Sequence, residues 1–434
     1  MSFFIRFFII FYLSFYHLYA VDKTFRAEDW TYESTIKTVI LYEQTGAADQ
    51  LVNPPVISLD QPNPLILEFD ELKTQNSLFY FKIIPCDMNW VPNTNLLDSE
   101  YLKDFINDYL ITTYQLSFNT RTKYVHYKIA MPRVKISGNF VVAVFRNDNQ
   151  DDLILTKRFM IFDSKVSITP NIRVSMGVEE RFTHQQVDFT INYANYPYIY
   201  NPMQEVKVVV RQNYRWDNAL TELKPLYVRE NERMLDYNYF NLENNFLGGK
   251  EFRFFDTRKT RSNSMNVDHV EFTPAAINVY IMQEKSRADL AYGFTFDVNG
   301  RYIPANNEVG GNMGDPDYTN VIFDLKLKQM PFGSVYVIGG FNDYKINESS
   351  KLNYDATSES YKCTWLLKQG YYNYVYAVKS TKDKNPDFMA LEGSSVQTEN
   401  MYEIIVYHRP IGSRNDVIIG YYSKSYNGGN TGGY

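Results

Sequence analysis

The chain has 434 residues, a formal net charge of −6, 22% charged residues and 16% aromatic ones, with 37 Tyr and 30 Phe. That length holds two to four domains, each with a core of its own, and the acidic balance argues against nucleic acid, whose phosphates demand a basic surface. Abundant Tyr, Phe, Asn and Val in short alternating runs suits sheets rather than helices.

Residues 1–20, with one early charge at Arg6, an apolar run from Phe7 to Phe15 and Ala20 at the expected cleavage point, read as a signal peptide. The run is too short to span a bilayer comfortably, so the expectation is an exported, cleaved protein. Residues 21–162 form a first β-domain, in which PNPLILEFDEL, LFYFKIIPCDMNWVP, TKYVHYKIAMP, SGNFVVAVFRND and LILTKRFMIFD alternate as strands do. Within it LLDSEYLKDFINDYL spaces Leu97, Leu102, Phe105, Ile106 and Leu110 as a short helix would, with Asp98 or Ser99 as its cap.

Residues 163–327 are expected to form a middle β-domain, with a mobile surface loop over its acidic, glycine-rich span from Ala305 to Tyr318. Residues 328–422 form a third, whose core takes Val335, Val337, Trp365 and Leu367, whose aromatic edge runs from Tyr371 to Tyr376, and whose first strand bends at Gly339 and Gly340. Residues 423–434 read as a flexible tail. The fold class is therefore all-β: tandem immunoglobulin-like or E-set-like β-sandwich domains with a short helix.

Motifs of catalysis are missing. His126, His184, His269 and His408 stand singly, with no HExxH, no CxxC and no Gly-x-Ser-x-Gly elbow, and no glycine loop of the phosphate-cradling kind. No cofactor and no catalytic residue is expected, although a dispersed glycosidase carboxylate pair leaves no local signature. Cys86 and Cys363 fall in different expected domains and read as buried free thiols rather than a disulfide. Two charge-rich phrases, one holding Arg211, Arg215, Asp217 and Asn218 and the other Glu251, Arg253, Asp256 and Arg258, read either as internal ion-pair networks or as anchors of a protein interface.

The turn Gly340-Phe341-Asn342-Asp343-Tyr344 resembles that of glucan-binding sandwich modules, with tyrosine where those modules stack a tryptophan on sugar. Tyr344 either does the same or closes the core. A wider resemblance spans the mature chain. PCDMNW, SGNF, KRFM, RQNYRWDNA, EFRFFDTR, DVNG, VYVIGGFNDY, LKQGYYNY, TENMYEIIVYHR and NDVIIGY, in this order, resemble the Plug proteins of the Bacteroidetes type IX secretion system. Pro85 replaces the usual His before Cys86, and Tyr344 replaces the turn tryptophan; neither position is one to which the family assigns chemistry.

The resemblance implies a non-enzymatic periplasmic protein that binds the outer-membrane translocon barrel from the inner side and seals it when no cargo passes. The alternative is an exported glycan-binding protein acting through its C-terminal sandwich. The candidate partner-binding residues are Tyr193, Tyr196, Tyr198 and Tyr200 of YANYPYIY, where Pro197 stiffens a tyrosine-rich turn, together with Arg215 and Tyr344.

Overall fold

Apolar alternation on five strands builds the inner faces of the first sandwich in the computed structural model, which describes residues 23–104, 106–262, 264–308, 315–380, 382 and 385–427. One sheet orders Trp30–Thr31, Asn149–Phe162, Gly138–Arg146, Phe79–Cys86 and Tyr109–Leu110; the other orders Ile36–Glu43, Leu65–Glu71, Val125–Ala130 and Tyr114–Leu116. Between them Phe69, Phe79 and Tyr127 stack with ring centroids 4.9 to 5.7 Å apart. The expected leader, 1–20, lies outside the described residues.

The short helix is only Asp98–Tyr101. Tyr101 and Leu102 are buried, but Leu97, Ile106 and Leu110 are exposed, so the apparent stripe is not one helical face. Its start is also not the expected one. Leu97, rather than Asp98 or Ser99, sits at the cap, and its N–H donates to Glu100 Oε2 at 2.7 Å.

The second sandwich joins segments far apart in sequence. One sheet holds Ser167–Val174, His184–Asn192, Met234–Asp236 and Tyr227–Arg229; the facing one pairs Val206–Gln212 with Asn400–His408, which pairs in turn with Val417–Tyr426, and Val210 also bridges locally to Leu220. The division at 327/328 thus separates two strands that hydrogen-bond along their whole length, Val206 opposite His408 through Gln212 opposite Tyr402. The last strand also continues past 422, because Ser423 to Tyr426 remain in register with Glu403 to Asn400.

Between these halves the chain makes the third sandwich, a ten-stranded sheet that includes Arg253–Asp256, Gly370–Lys379, Ser334–Ile338, Ser360–Lys368, Tyr318–Lys326 and Ile277–Ile281. It encloses Phe255, Val321, Phe323, Val335, Val337, Leu367, Tyr372, Tyr374 and Tyr376. Alternate tyrosines of the expected aromatic edge therefore point inward and fill the core. Trp365 is half-buried against that core, edge-on to Phe341 at 5.3 Å. Cys86 and Cys363 are both free thiols, buried and half-buried, and burial pushes each up to about 12.

The outgoing and returning chains run side by side. Gln185 donates to the carbonyls of Val396 and Thr398 at 2.8 Å each, and Ser395 N–H donates to Gly249 O at 2.7 Å. A Cβ at Gly248 would sit 2.2 Å from Ser395 O, so only glycine permits this approach. Just beyond, Glu251 is 3% exposed, and its Oε2 has no hydrogen-bond partner. Burial, with Asp297 and Glu399 nearby, pushes its carboxyl up to about 7 despite the Tyr292 hydroxyl that donates to it. Asp297 is likewise pushed up to about 7 by burial.

The central sheet Val206–Gln212/Asn400–His408/Val417–Tyr426 is covered on both faces over most of its area, with Lys207, Ser423 and Lys424 left exposed. Val208, Val210, Ile404 and Val406 face the second core, while Val209, Ile405, Tyr407 and Ile418 pack on Cys86, Trp90, Val141 and Met160 of the first sandwich. On the latter face Arg211 and its register partner Glu403 form a buried pair, Nη2 to Oε1 2.9 Å, with Tyr421 donating to the same oxygen at 2.6 Å.

Two outcomes follow from this architecture. Glu403→Gln strands the Arg211 charge and should cost about 3–5 kcal/mol in denaturant unfolding, whereas the double variant Arg211→Met/Glu403→Leu should recover most of it; equal losses would deny the coupling. The raised Glu251 carboxyl binds a proton in the folded state that the unfolded chain releases, so its contribution to stability falls as pH rises from about 4.5 to about 7. Glu251→Gln should therefore flatten melting temperature against pH in that window and be the more stable protein at pH 8, by up to about 3 kcal/mol; parallel curves would refute the assignment.

Candidate partner-binding surface

The six candidate residues separate into three environments. Tyr193 is buried in the second core, under the Arg233 guanidinium 5.3 Å from its ring. Tyr196 is half-buried, its hydroxyl 3.1 Å from His408 Nδ1 and its ring edge-on to that imidazole. Tyr198 and Tyr200 point out, 60% and 75% exposed. The turn alternates in this way because Tyr193 and Ile199 are held by the core, which turns their neighbours outward.

Beneath the exposed pair lies a polar brace. Glu205, on the single turn Pro202–Glu205, accepts from the backbone N–H of Asn201 at 2.8 Å and of Tyr200 at 3.2 Å, and its Oε2 lies 3.3 Å from His408 Nε2. Burial works against its charge, yet those two N–H groups and His408 hold the carboxyl below its usual range. Burial holds His408 below its ordinary value, favouring the neutral ring. The loop thus presents two tyrosines from a fixed backbone rather than a loose one.

Arg215 and Tyr344 come together elsewhere, where the three sandwiches meet. The Arg215 guanidinium lies 4.3 Å over the Tyr344 ring and 4.9 Å over Phe388, and Arg215 also holds Asp217 by two bonds, one of them 3.0 Å. Tyr344 is in the left-handed region at φ 56°, and a Cβ at Gly300 would fall 1.7 Å from its hydroxyl. One face of the ring is thus covered by an arginine and its edge by the DVNG turn. These contacts give Tyr344 a packing role at the junction.

Neither charged phrase forms an exposed interface. Arg211 pairs with Glu403, Arg253 with Glu392 and Glu284 at 2.9 Å each, and Arg258 with Asp256 at 2.7 Å. Glu251 lies before the strand that begins at Arg253 and is not bonded to that arginine; it meets Tyr292 instead. The acidic loop also behaves otherwise than expected at its described end. Asp315 accepts from Phe118 N–H at 2.8 Å, Asp317 from Arg121 and Thr122 N–H at 2.6 and 3.0 Å, and Tyr124 donates to Pro316 O at 3.0 Å. That end is a clasp on the first sandwich; residues 309–314 lie outside the described residues.

Sequence reasoning did not single out the exposed apolar residues at one end of the second sandwich. Met176, Val178 and Phe182 stand out from the turn between Ser167–Val174 and His184–Asn192, and Phe240 is also exposed. They sit at the opposite end of His184–Asn192 from the tyrosine turn. Their signal in sequence is only hydrophobic residues inside a charged turn, SMGVEERF, which has neither strand nor helix period.

The phrases RQNYRWDNA, DVNG and GGFNDY converge on the junction of the three sandwiches, where Trp216 meets Trp90 edge-on at 5.0 Å. The solved structure of a hypothetical protein from Parabacteroides merdae matches this arrangement with a TM-score of 0.84 at 29% identity, covering 92% of this chain and 99% of that one. A collagen adhesin from S. aureus is 10% identical over 90% of this chain and 92% of its own, but at a TM-score of 0.11 it bears on nothing. No curated protein matches the chain. Residues 36–163 match the model of the type 9 secretion system plug protein 1st domain, which supports the resemblance of the chain to the type IX secretion plug family.

Proposed function

We propose that this protein docks on the periplasmic end of the type IX outer-membrane translocon barrel and closes it while no cargo is in transit. The match of residues 36–163 to the plug family's first domain supports a role in type IX secretion and a place in the periplasm. The observation that carries the docking reading is the braced turn that holds Tyr198 and Tyr200 outward. Tyrosines bury large area at low entropic cost, and a seal that must yield to cargo is better served by polar aromatic contacts than by an obligate apolar face. Rigidity supports the same reading. A body whose sandwiches share a sheet and buried ion pairs has little internal freedom to lose when it docks.

Tyr198→Ser/Tyr200→Ser is expected to reduce recovery of the translocon barrel with the tagged protein from detergent-solubilised outer membranes, while melting shifts by only a few degrees, since exposed substitutions change stability by about 0.5 kcal/mol. Undiminished recovery removes the turn from the interface. A strain lacking the protein should admit large solutes through an otherwise intact translocon, and unchanged permeability would overturn the sealing role.

A further inference from the structure

A cavity of about 410 Å³ lies where the three sandwiches meet, walled in part by Tyr214, Trp216 and Tyr344. Most of the charge around it is neutralised internally. Lys157 bridges Asp29 at 2.9 Å and Asp343 at 2.7 Å, Arg215 is held by Asp217, and Lys345 donates to the carbonyl of Asp29. Two arginines that line the same cavity are not so matched. Asp29 accepts from the Arg158 backbone N–H at 2.8 Å, but among the described residues no carboxylate oxygen comes within 4.0 Å of the guanidinium nitrogens of Arg158 or of Arg301.

Each of the two is nonetheless positioned. Arg158 Nε donates to Ala27 O at 2.6 Å, and its guanidinium carbon lies 4.5 Å over Trp90 and 5.5 Å over Trp216. Arg301 Nη1 donates to Asn53 O at 2.9 Å, with the guanidinium 4.5 Å over Tyr214. One backbone acceptor and an aromatic face hold each plane in place and leave most of the fork's five N–H groups undirected. Asp29 and Glu28 act on Arg158, and Glu403 on Arg301, only at longer range, and burial holds both guanidinium groups below their ordinary value. A buried cation ordinarily has a partner that repays its desolvation.

We propose that the cavity is a binding site for a small oxyanion, a phosphate or carboxylate group, received by the free fork edges of Arg158 and Arg301. Planar two-point donation is the geometry in which guanidinium groups prefer such anions, and the stacked rings fix the forks beforehand. Arg158 belongs to the first sandwich and Arg301 to the third, so an anion between them would brace two domains and stabilise the folded protein by mass action. The inference stands apart from the translocon reading.

The test is isothermal titration and thermal melting of the purified mature chain with inorganic phosphate and, separately, succinate, at ionic strength matched with sodium chloride. Saturable binding and a rise in melting temperature of several degrees are expected with one or both. A response to phosphate alone assigns a phosphate-bearing ligand, and a response to succinate alone a carboxylate. Arg158→Gln and Arg301→Gln should each weaken binding at least tenfold, and Lys207→Gln, an exposed cation outside the cavity, should leave it unchanged. No saturable response to either anion, or equal binding by the arginine variants, overturns the site. Should those variants fail to fold, wild-type crystals soaked in tungstate decide it: density between the two forks supports the proposal, and density elsewhere or nowhere refutes it.

Discussion

The central sheet of Val206–Gln212, Asn400–His408 and Val417–Tyr426 is the element on which the other parts depend. A sheet covered on both faces over most of its area leaves few positions for polar residues, and so its strands read as nearly unbroken apolar runs, VKVVV and IIVY, broken where Lys207 is exposed. One face completes the second sandwich and the other seats the first. The single charge pair inside it, Arg211 with Glu403, lies at opposed register positions, so any slip of one strand would separate the two charges and bury each alone. Register and domain docking are thus enforced by the same two residues.

Inserting the third sandwich within the second has a mechanical consequence. Both of its connections to the second sandwich pass through one narrow crossing, where Gly248 touches Ser395 and Gln185 holds Val396 and Thr398. Two adjacent connections resist hinge motion that a single linker would allow. The first sandwich is tied to the third independently, through buried Asp70, which accepts from Tyr318 at 2.6 Å and Lys368 at 2.7 Å beside His126, and through the Asp315–Asp317 clasp. Each sandwich therefore contacts the other two through buried polar groups, whose geometry is less forgiving than apolar packing.

The family phrases are worth reading as structure. Those that are most distinctive in sequence, RQNYRWDNA, DVNG and GGFNDY, supply the aromatic rings and arginines of the three-way junction rather than an exposed docking face. Their residue types are what a close-packed charged junction requires: guanidinium planes that stack on rings, and glycines at Gly300 and Gly340 where a Cβ would strike Tyr344 or the Gly300 carbonyl. The exposed tyrosine turn uses commoner residues and is held by Glu205 and His408, more than 200 residues apart in the chain.

By itself, the sequence determined the all-β class, most strands, the inward parity of Val335 and Val337, the thiol state of Cys86 and Cys363, and the family resemblance, because each depends on local alternation, on residue type or on ordered phrases. It did not disclose that strand 206–212 pairs with strand 400–408, because backbone hydrogen bonds are alike in every strand and a buried two-faced strand carries no mark of its partner. The short helix expected within 96–110 is present but confined to Asp98–Tyr101, because Leu97, Ile106 and Leu110 are exposed and do not form one buried helical face. Which tyrosines of YANYPYIY point outward, which arginines found carboxylates and which were left facing a cavity were decided only by the tertiary structure, since each answer depends on side chains brought together from three sandwiches.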